Sequence, residues 1–487
     1  MNVGRAIDPA VEQVPRRTAL IVGGRHCSYR DLEQWVRRVA AALTARGVGP
    51  GARVALVDNG SVLSVATILA AARIGAASAP MNVLLTTDEL SKLATAVDAR
   101  VGVAGEPFRT SLAGALGDDA VLGEDDVAGL DEDELDGTAA AVDDADDALV
   151  LFTSGTTGQP KPVSISHGVV AERLGFYAAP IDPDAPPVVD MMSAPVFHIG
   201  GTLGLLVSLR SGRTVVMLPQ FAAGAWLQAV EQHRVSQTFI VPTMLQRILD
   251  HPDFPGRDLS SLQQISYGAA AAPVALVERA LDALPDVRFV NAFGQTETLG
   301  AYAALTAEDH RARRKLGSAG RPLPGVELRI VDVAAETDCP VDAVGQVWVR
   351  AAQNVTSDWL CTGDLAFLDT DGYLHPVGRM TDTINRGGEK FGPIEVEEVL
   401  RSHPAVRDAG VCGVPDPELG QRVAAVVVTV DGEDLDPGDL RAFAAERLAR
   451  YKLPQRIVFA DDLPYSNLGK VSRQELAAVI LEDEATR

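Results

Sequence analysis

Between Leu151 and Val163 the chain reads LFTSGTTGQPKPV. An apolar run enters a stretch of hydroxyls and glycines (Thr153, Ser154, Gly155, Thr156, Thr157, Gly158), and Lys161 follows shortly after. Glycines let the backbone approach an anion closely, and successive N–H groups form an anion-binding nest. The hydroxyls add donors and the lysine adds a mobile positive charge, so these types at this spacing suit a phosphate. The loop is not a Walker A motif, because the GxxxxGK[ST] spacing is absent. Taken alone, the same residues also describe a Ser/Thr/Gly surface turn.

Three further side chains are of the right chemical type. Glu297 in GQTET is a hard-oxygen ligand for a divalent cation, Asp364 in TGDL an acceptor for hydroxyls, and Lys470 in NLGK a donor toward developing negative charge. Each also has an ordinary reading, as a surface carboxylate, a turn cap and a solvated lysine. His198 in FHIGG reads by itself as a satisfied core histidine. The overall field does not help hold a phosphate: 43 basic residues against 66 acidic give a formal net charge of −23. Such a surface repels polyphosphate backbones, which excludes non-specific nucleic-acid binding and requires any phosphate site to be a local pocket.

The elements that must position these residues follow from pattern. At 487 residues and one domain per ~150 residues, about three packing units are expected, and 47% hydrophobic composition supplies a large core. TALIV (Thr18 to Val22) reads as a strand. Ser28 with Asp31 resembles a capping box, followed by Leu32, Trp35, Val36, Val39 and Leu43 at helical spacing and Gly47 as a C-terminal cap. RVALVD (Arg53 to Asp58) reads as the next strand and Val62 to Ala72 as a helix, an alternation that implies parallel sheets covered by helices. From Asp118 to Asp147 fourteen acidic residues occur with no basic one, which reads as a solvated surface loop. After about Thr381 a helix (Ile394 to Arg401), strand-like AVRDAGVCGV and VAAVVVTV, a helix (Asp439 to Ala449) and IVFA make an α+β unit of about a hundred residues. The chain therefore divides into a large region, 1–380, and a smaller one, 381–487.

Cys27, Cys339, Cys361 and Cys412 are scattered and form no CxxC pair, which suits a reducing compartment. No apolar run reaches about 18 residues; the nearest, Ile68 to Pro80, is interrupted by Arg73. The start, MNVGRAIDPAVEQVPRR, lacks the apolar stretch of a signal peptide. A cytoplasmic protein without a membrane span is expected.

The phosphate-type loop and seven further motifs in order then carry a resemblance that covers nearly the whole chain. LFTSGTTGQPK is similar to the phosphate loop of the adenylate-forming (ANL) superfamily, which includes acyl-CoA synthetases, nonribosomal adenylation domains and firefly luciferase. SAPVFHIGG (Ser193 to Gly201) resembles its aromatic-His segment, and VPTML with SYGAAAAP its pocket and adenine-site strands. NAFGQTET resembles its adenine and magnesium motif, and CTGDLAFLDTDGYLHPVGR its ribose-binding stretch. INRGGEKFGPIEVEEVL resembles the start of its mobile domain, and LPYSNLGKVSR its terminal lysine motif.

The resemblance implies an α/β fold: a large N-terminal region of α/β layers with a β-barrel part, joined at a hinge, Thr381, to a smaller mobile α+β domain. It implies that a carboxylic acid attacks ATP to give an acyl-adenylate and pyrophosphate, after which the thiol of coenzyme A displaces AMP. Such chemistry needs charge compensation and positioning more than acid–base catalysis. By the same resemblance Thr153, Ser154, Gly155, Thr156, Thr157 and Lys161 hold phosphates, and Glu297 coordinates Mg²⁺. Gly268, Asn291, Phe293, Gly294 and Thr296 surround adenine and ribose, with Asp364 and Arg379 on the ribose hydroxyls. Lys470 bridges the ribose and the transferring carboxylate, and with His198 it is the catalytic pair that the resemblance implies. His198, Gly268 and Ala269 border the acyl group, and Gly387 and Gly388 border the pantetheine tunnel, although a turn also explains that glycine pair.

His198 stands where amino-acid-activating relatives carry an aspartate, which disfavours an amino-acid substrate, and the small residues after Gly268 leave room for a bulky or long apolar acid. Four features depart from the pattern: Phe293 for Tyr, Pro162 for the glycine after the loop lysine, Thr381 at the hinge, and a stretch between Arg350 and Trp359 shorter by about a dozen residues. They leave open a non-adenylating ligase that only converts a preformed acyl-adenylate, and a non-catalytic acyl-adenylate- or CoA-binding protein. A carrier protein stays open as an alternative acceptor.

Overall fold

The computed structural model describes residues 1–130, 138–153, 160–356, 358–387, 389–430, 433, 435–465 and 471–485. The alternating segments of the large region build two mostly parallel sheets. In one, of six strands, Arg53–Val57 lies between Ala77–Pro80 and Val101–Ala104, parallel to both. In the other, of nine strands, Thr18–Val22 pairs in parallel with Thr214–Met217. The helix Tyr29–Ala45 starts at a formed capping box: the Ser28 side chain accepts from the Asp31 N–H, and the Asp31 carboxylate accepts from the Ser28 N–H at 2.9 Å. Such a cap is worth ~1 kcal/mol, and Leu32, Val36, Val39 and Leu43 bury the apolar stripe behind it.

The helix Val62–Arg73 is buried from Leu63 onward, on every side. Its apolar, mostly small side chains let it lie in a core to which both sheets contribute, Val54 and Leu149 from one and Leu20 and Val215 from the other. A helix apolar all round is one that has no water-facing side. Arg73, which interrupts the run in sequence, is 3% exposed and donates to both oxygens of Glu33, at 2.7 and 2.9 Å. Burial alone would raise the Glu33 carboxyl; its bonds to Arg73 and then Arg37 win and hold it below the usual range.

The expected β-barrel part is instead an open sheet of four antiparallel strands, Glu327–Val331, Gly345–Arg350, Leu360–Leu368 and Leu374–Arg379, whose outer members do not pair with one another. Its apolar side chains Ile330, Val347, Val349 and Ala366 pack on Tyr302 and Ala303 of the nine-stranded sheet. A sheet that buries its face against another sheet has no need to close on itself.

Three smaller corrections concern local pattern. VPTML is not a strand: Pro242 sits at the first turn of the helix Pro242–Leu249, where its missing N–H costs nothing. Within the acidic segment Val121–Leu122 adds a parallel strand to the six-stranded sheet and Asp125–Ala128 forms a short helix. The helix expected at Asp439 to Ala449 runs Pro437–Ala445, capped by Asp436, whose side chain accepts from the Gly438 N–H at 2.7 Å.

The C-terminal region forms a five-stranded sheet around the hairpin Val406–Asp416 and Gly420–Thr429. Val423, Ala425 and Val427 face a core with Val396, Leu400 and Leu440, while Ala424, Val426 and Val428 face Leu476 and Ile480. Helices cover both faces, so the strand reads as a continuous apolar run rather than an alternation. Among the described residues no helix is long and apolar enough to cross a membrane.

Candidate functional site

A cleft of about 260 Å³ opens between the nine-stranded sheet, the open sheet and the C-terminal region. Its floor is the edge of two parallel strands, Gln264–Gly268 and Arg288–Gln295. Gly268 lies so close to its neighbour that a Cβ there would stand 2.2 Å from the Ala292 carbonyl oxygen. The acyl-pocket glycine is therefore required first by strand approach. Ala269 follows in the left-handed region at φ +67, a conformation that costs a non-glycine residue about 1–3 kcal/mol. That strained step turns Ala269 to Ala272 along the cleft wall.

Asn291, Phe293 and Gly294 line the cleft from the second strand. Phe293 is braced edge-on by the buried Tyr302 ring, centroids 5.3 Å apart, which fixes the plane its free face offers to a ligand. Gly294 admits no side chain, since a Cβ would lie 2.0 Å from the Gly300 carbonyl oxygen.

Asp364 and Arg379 face each other across the antiparallel strands Leu360–Leu368 and Leu374–Arg379. Arg379 Nε donates to Asp364 Oδ1 at 3.0 Å, and the Asp364 residue is only 9% exposed. A carboxylate is an acceptor-only group of the kind that binds hydroxyls, and the charge-assisted bond from the guanidinium fixes its orientation. Both side chains line the cleft.

The opposite wall belongs to the C-terminal region. Gly392 brings it in: a Cβ there would stand 1.8 Å from the Val377 carbonyl oxygen, so only glycine permits this approach of the two regions. Glu397, Arg401, Asp408, Tyr465, Val471 and Arg473 all line the same cleft. Tyr465 and Val471 are bridged in antiparallel fashion. Lys470, between them, lies outside the described residues, as do Ser154, Gly155, Thr156, Thr157 and Gly388.

The remaining predicted residues stand as follows. Thr153 pairs with Lys161 as the last register pair of the strands Asp147–Thr153 and Lys161–Ser166, so the two approach the ends of the hydroxyl-rich loop together. Pro162 is in an edge strand, where a missing N–H is tolerated. Thr296 and Glu297 belong to the 3₁₀ turn Thr296–Thr298, which ends at Leu299 with φ +44. Buried Arg173 donates to the Leu299 carbonyl at 3.0 Å and to that of Ala301, gripping the strained turn from below. The shortened stretch after Arg350 reaches the same motif: the Val355 N–H donates to the Glu297 carbonyl at 3.0 Å. His198 is the N-cap residue of the helix Ile199–Arg210 and leans on the Phe197 ring, outside the lining of the cleft. Thr381 lies in the turn Met380–Asp382. Gly387, at φ +62, begins the two-residue connection between Arg386 and Glu389, which are paired, so the turn reading holds for it.

Among the described residues no group of three or more His, Cys, Asp or Glu side chains could hold a metal ion unaided. A lone carboxylate such as Glu297 fits Mg²⁺, which takes one or two carboxylates and completes its shell with phosphate oxygens and water. What the sequence reading missed is the ionic wall of the C-terminal region and the Arg173 grip; the only local signal was Glu397 and Arg401 four apart on one helix face.

Comparison with known proteins settles the kinship. Residues 7–357 match the AMP-binding enzyme family, and residues 395–470 match the AMP-binding enzyme C-terminal domain. The chain belongs to the AMP-binding enzyme family. The resemblance drawn from the motifs thus holds, and this is an adenylate-forming enzyme of the acyl-CoA synthetase kind. Among its family relatives, it is 35% identical to a feruloyl-CoA synthase of an Amycolatopsis species over 482 residues, 95% of this chain and 96% of that protein. It is 33% identical to the indoleacetate–CoA ligase of Aromatoleum aromaticum over 99% of this chain and 98% of that one. The structure of the amide bond synthetase McbA from Marinactinospora thermotolerans superposes with a TM-score of 0.86 at 29% identity, covering 98% of this chain and 99% of that one.

Proposed function

We propose that this AMP-binding enzyme activates a bulky, apolar carboxylic acid with ATP and Mg²⁺ and passes the acyl group to coenzyme A in the cytoplasm. The observation that carries the reading is the cleft itself: the Asp364–Arg379 pair, the Phe293 face and the end of the lysine motif meet in one space between the two regions. A carboxylate is a poor electrophile; its attack on the α-phosphorus of ATP forms the acid–phosphorus mixed anhydride and releases pyrophosphate. The coenzyme A sulfur then adds to the acyl carbonyl, and AMP leaves. Asp364 takes the ribose hydroxyls and Phe293 the adenine face. Thr153 to Thr157 and Lys161 steady the β and γ phosphates, and Glu297 would hold Mg²⁺, which would supply positive charge to offset the phosphate charge. Lys470 donates toward the charge that develops between carboxylate and phosphorus.

The division at Thr381, with residues 381–487 as a mobile domain, is part of the proposal, as is thiol entry past Gly387 and Gly388. Two curated relatives are named for aromatic acids, feruloyl and indoleacetate, which supports a large planar acyl group. The four free cysteines accord with a reducing compartment.

Incubation of the protein and Mg²⁺ with a panel of aromatic acids, ATP and coenzyme A, and in parallel with synthetic acyl-adenylates and coenzyme A, separates the alternatives by product mass. Thioester from both routes is expected. Thioester only from the preformed adenylate would leave the non-adenylating ligase, and an amide or a carrier-protein adduct in place of thioester would reassign the acceptor. For Lys470→Ala, pyrophosphate exchange should fall by about 10²–10³, while transfer from the preformed adenylate persists.

A further inference from the structure

On the C-terminal wall four charged side chains and a phenol form one continuous chain of contacts, Arg473–Glu397–Arg401–Asp408–Tyr465. Glu397, 3% exposed, accepts from Arg401 Nη2 at 3.3 Å, from the Val411 N–H at 2.9 Å and from Arg473 Nη1. Arg401 Nε donates to Asp408 Oδ1 at 2.8 Å, and the Tyr465 hydroxyl donates to Asp408 Oδ2. Both arginines also donate to the hairpin backbone, Arg401 to the Ala409 carbonyl at 2.8 Å and Arg473 to that of Val411 at 2.9 Å.

Three features of this cluster point in one direction. Its charges cancel, two guanidinium groups against two carboxylates, so it offers no surplus charge to a phosphate. Its members stand on the cleft that holds Asp364, and a buried ion cluster is poor evidence for stability, because well-packed apolar groups often serve as well. Its two outermost members, Tyr465 and Arg473, lie on either side of residues 466–470 in the chain. The cluster therefore ties down both ends of one short segment, and that segment carries Lys470.

We infer that Asp408 and Glu397 are positioning residues for adenylation: Asp408 through Tyr465, and Glu397 through Arg473, fix the two ends of the segment from which Lys470 acts. The inference rests on the proposed role of Lys470. All five groups belong to the C-terminal region and travel with it as a unit. The network should therefore govern the half-reaction that uses Lys470 and spare the one that does not.

The test measures both half-reactions in the full-length protein carrying Tyr465→Phe, Glu397→Gln, Lys470→Ala and the double change Tyr465→Phe/Lys470→Ala. Tyr465→Phe keeps the ring and removes one hydroxyl, and Glu397→Gln keeps the shape if the first variant folds poorly. Pyrophosphate exchange in either single network variant is expected to drop in kcat by tenfold or more, up to on the order of 10²-fold, as for a misplaced catalytic group. The KM for ATP and transfer from synthetic acyl-adenylate to coenzyme A should hold. In the Lys470→Ala background Tyr465→Phe should add no further loss, because both changes remove one function. Equal loss of both half-reactions, or additive losses in the double variant, would overturn the inference. Unchanged exchange in Lys470→Ala alone would overturn the lysine assignment together with it, whereas unchanged exchange in the network variants with a dead Lys470→Ala would overturn only the network's role.

Discussion

The two walls of the cleft are built from opposite materials. On the nucleotide side the surface is backbone and small side chains, Gly268, Ala269 and Gly294, with one ion pair, Asp364–Arg379, set into it. On the C-terminal side the surface includes four charged side chains paired with one another. The first wall turns an aromatic face and an ion pair toward the cleft, groups suited to recognising a ligand; the second commits most of its polar groups to one another and to the hairpin backbone, which suits it to holding a shape. Placing recognition on one region and stiffness on the other would let the two separate and meet again, in the proposed domain motion, without either losing its form.

The sharpest way to break this contrast is to remove a charge from the second wall. Glu397→Ala leaves Arg401 and Arg473 without their shared carboxylate and should lower unfolding stability by about 3 kcal/mol, the low end for a broken buried pair, because Arg473 keeps some water contact. Denaturant unfolding measures this, and a loss near zero would mean the wall is not a rigid unit. On the first wall Asp364→Asn removes a charged acceptor while keeping the side chain's shape and one oxygen for Arg379. It should weaken ATP binding by about 1.5–3 kcal/mol with the unfolding midpoint nearly unchanged; calorimetric titration reads the first and thermal unfolding the second. Gly268→Ala probes the floor itself. With a Cβ 2.2 Å from the Ala292 carbonyl oxygen, strand separation should cost about 1–3 kcal/mol and raise the KM for ATP as well.

The smallest expected effect comes from pH and lies outside both walls. His310 is buried, its Nδ1–H donating to the Thr306 carbonyl at 2.7 Å while Nε2 accepts from the Tyr267 hydroxyl at 2.9 Å. Burial pushes its pKa below the usual 6.5, and burial does the same to His167. A histidine neutral in the fold binds fewer protons than in the unfolded chain. Stability from these two sites is therefore complete above 6.5 and declines as pH falls below it. Each contributes at most about 1.4 kcal/mol per pH unit of decline. Replacing His310 by Gln should flatten the acid side of a stability-against-pH curve; an unchanged curve would show that the site does not titrate on unfolding.

Local signals in the sequence predicted the first strands and helices of the large region. The Ser28–Asp31 box, the Thr18 to Val22 strand and the alternation that follows are all encoded within a few residues, and the structure has them where expected. The motifs that hold Asn291 and Asp364 were legible by resemblance, because each is contiguous in the chain. What stayed hidden depends on residues brought together from afar. The partner of Arg73 is Glu33, forty positions away, and that of Arg473 is Glu397, seventy-six away. Gly268 reads as a roomy pocket residue until the neighbouring strand is seen against it. The open four-stranded sheet was expected to be part of a barrel because closure is a property of pairing between outer strands, which no local pattern states. VPTML, by contrast, was legible and was misassigned: a proline at its second position marks a helix start as readily as a strand end.

The account stands on a single cleft that seats an acyl-adenylate with its ribose on Asp364. Calorimetric titration of wild-type protein and Asp364→Asn with a non-hydrolysable aroyl-sulfamoyl adenosine measures this directly. The account predicts one tight site per chain in the wild type and binding weaker by about tenfold or more in the variant. No binding to the wild type, or affinity indifferent to the change at Asp364, would contradict it.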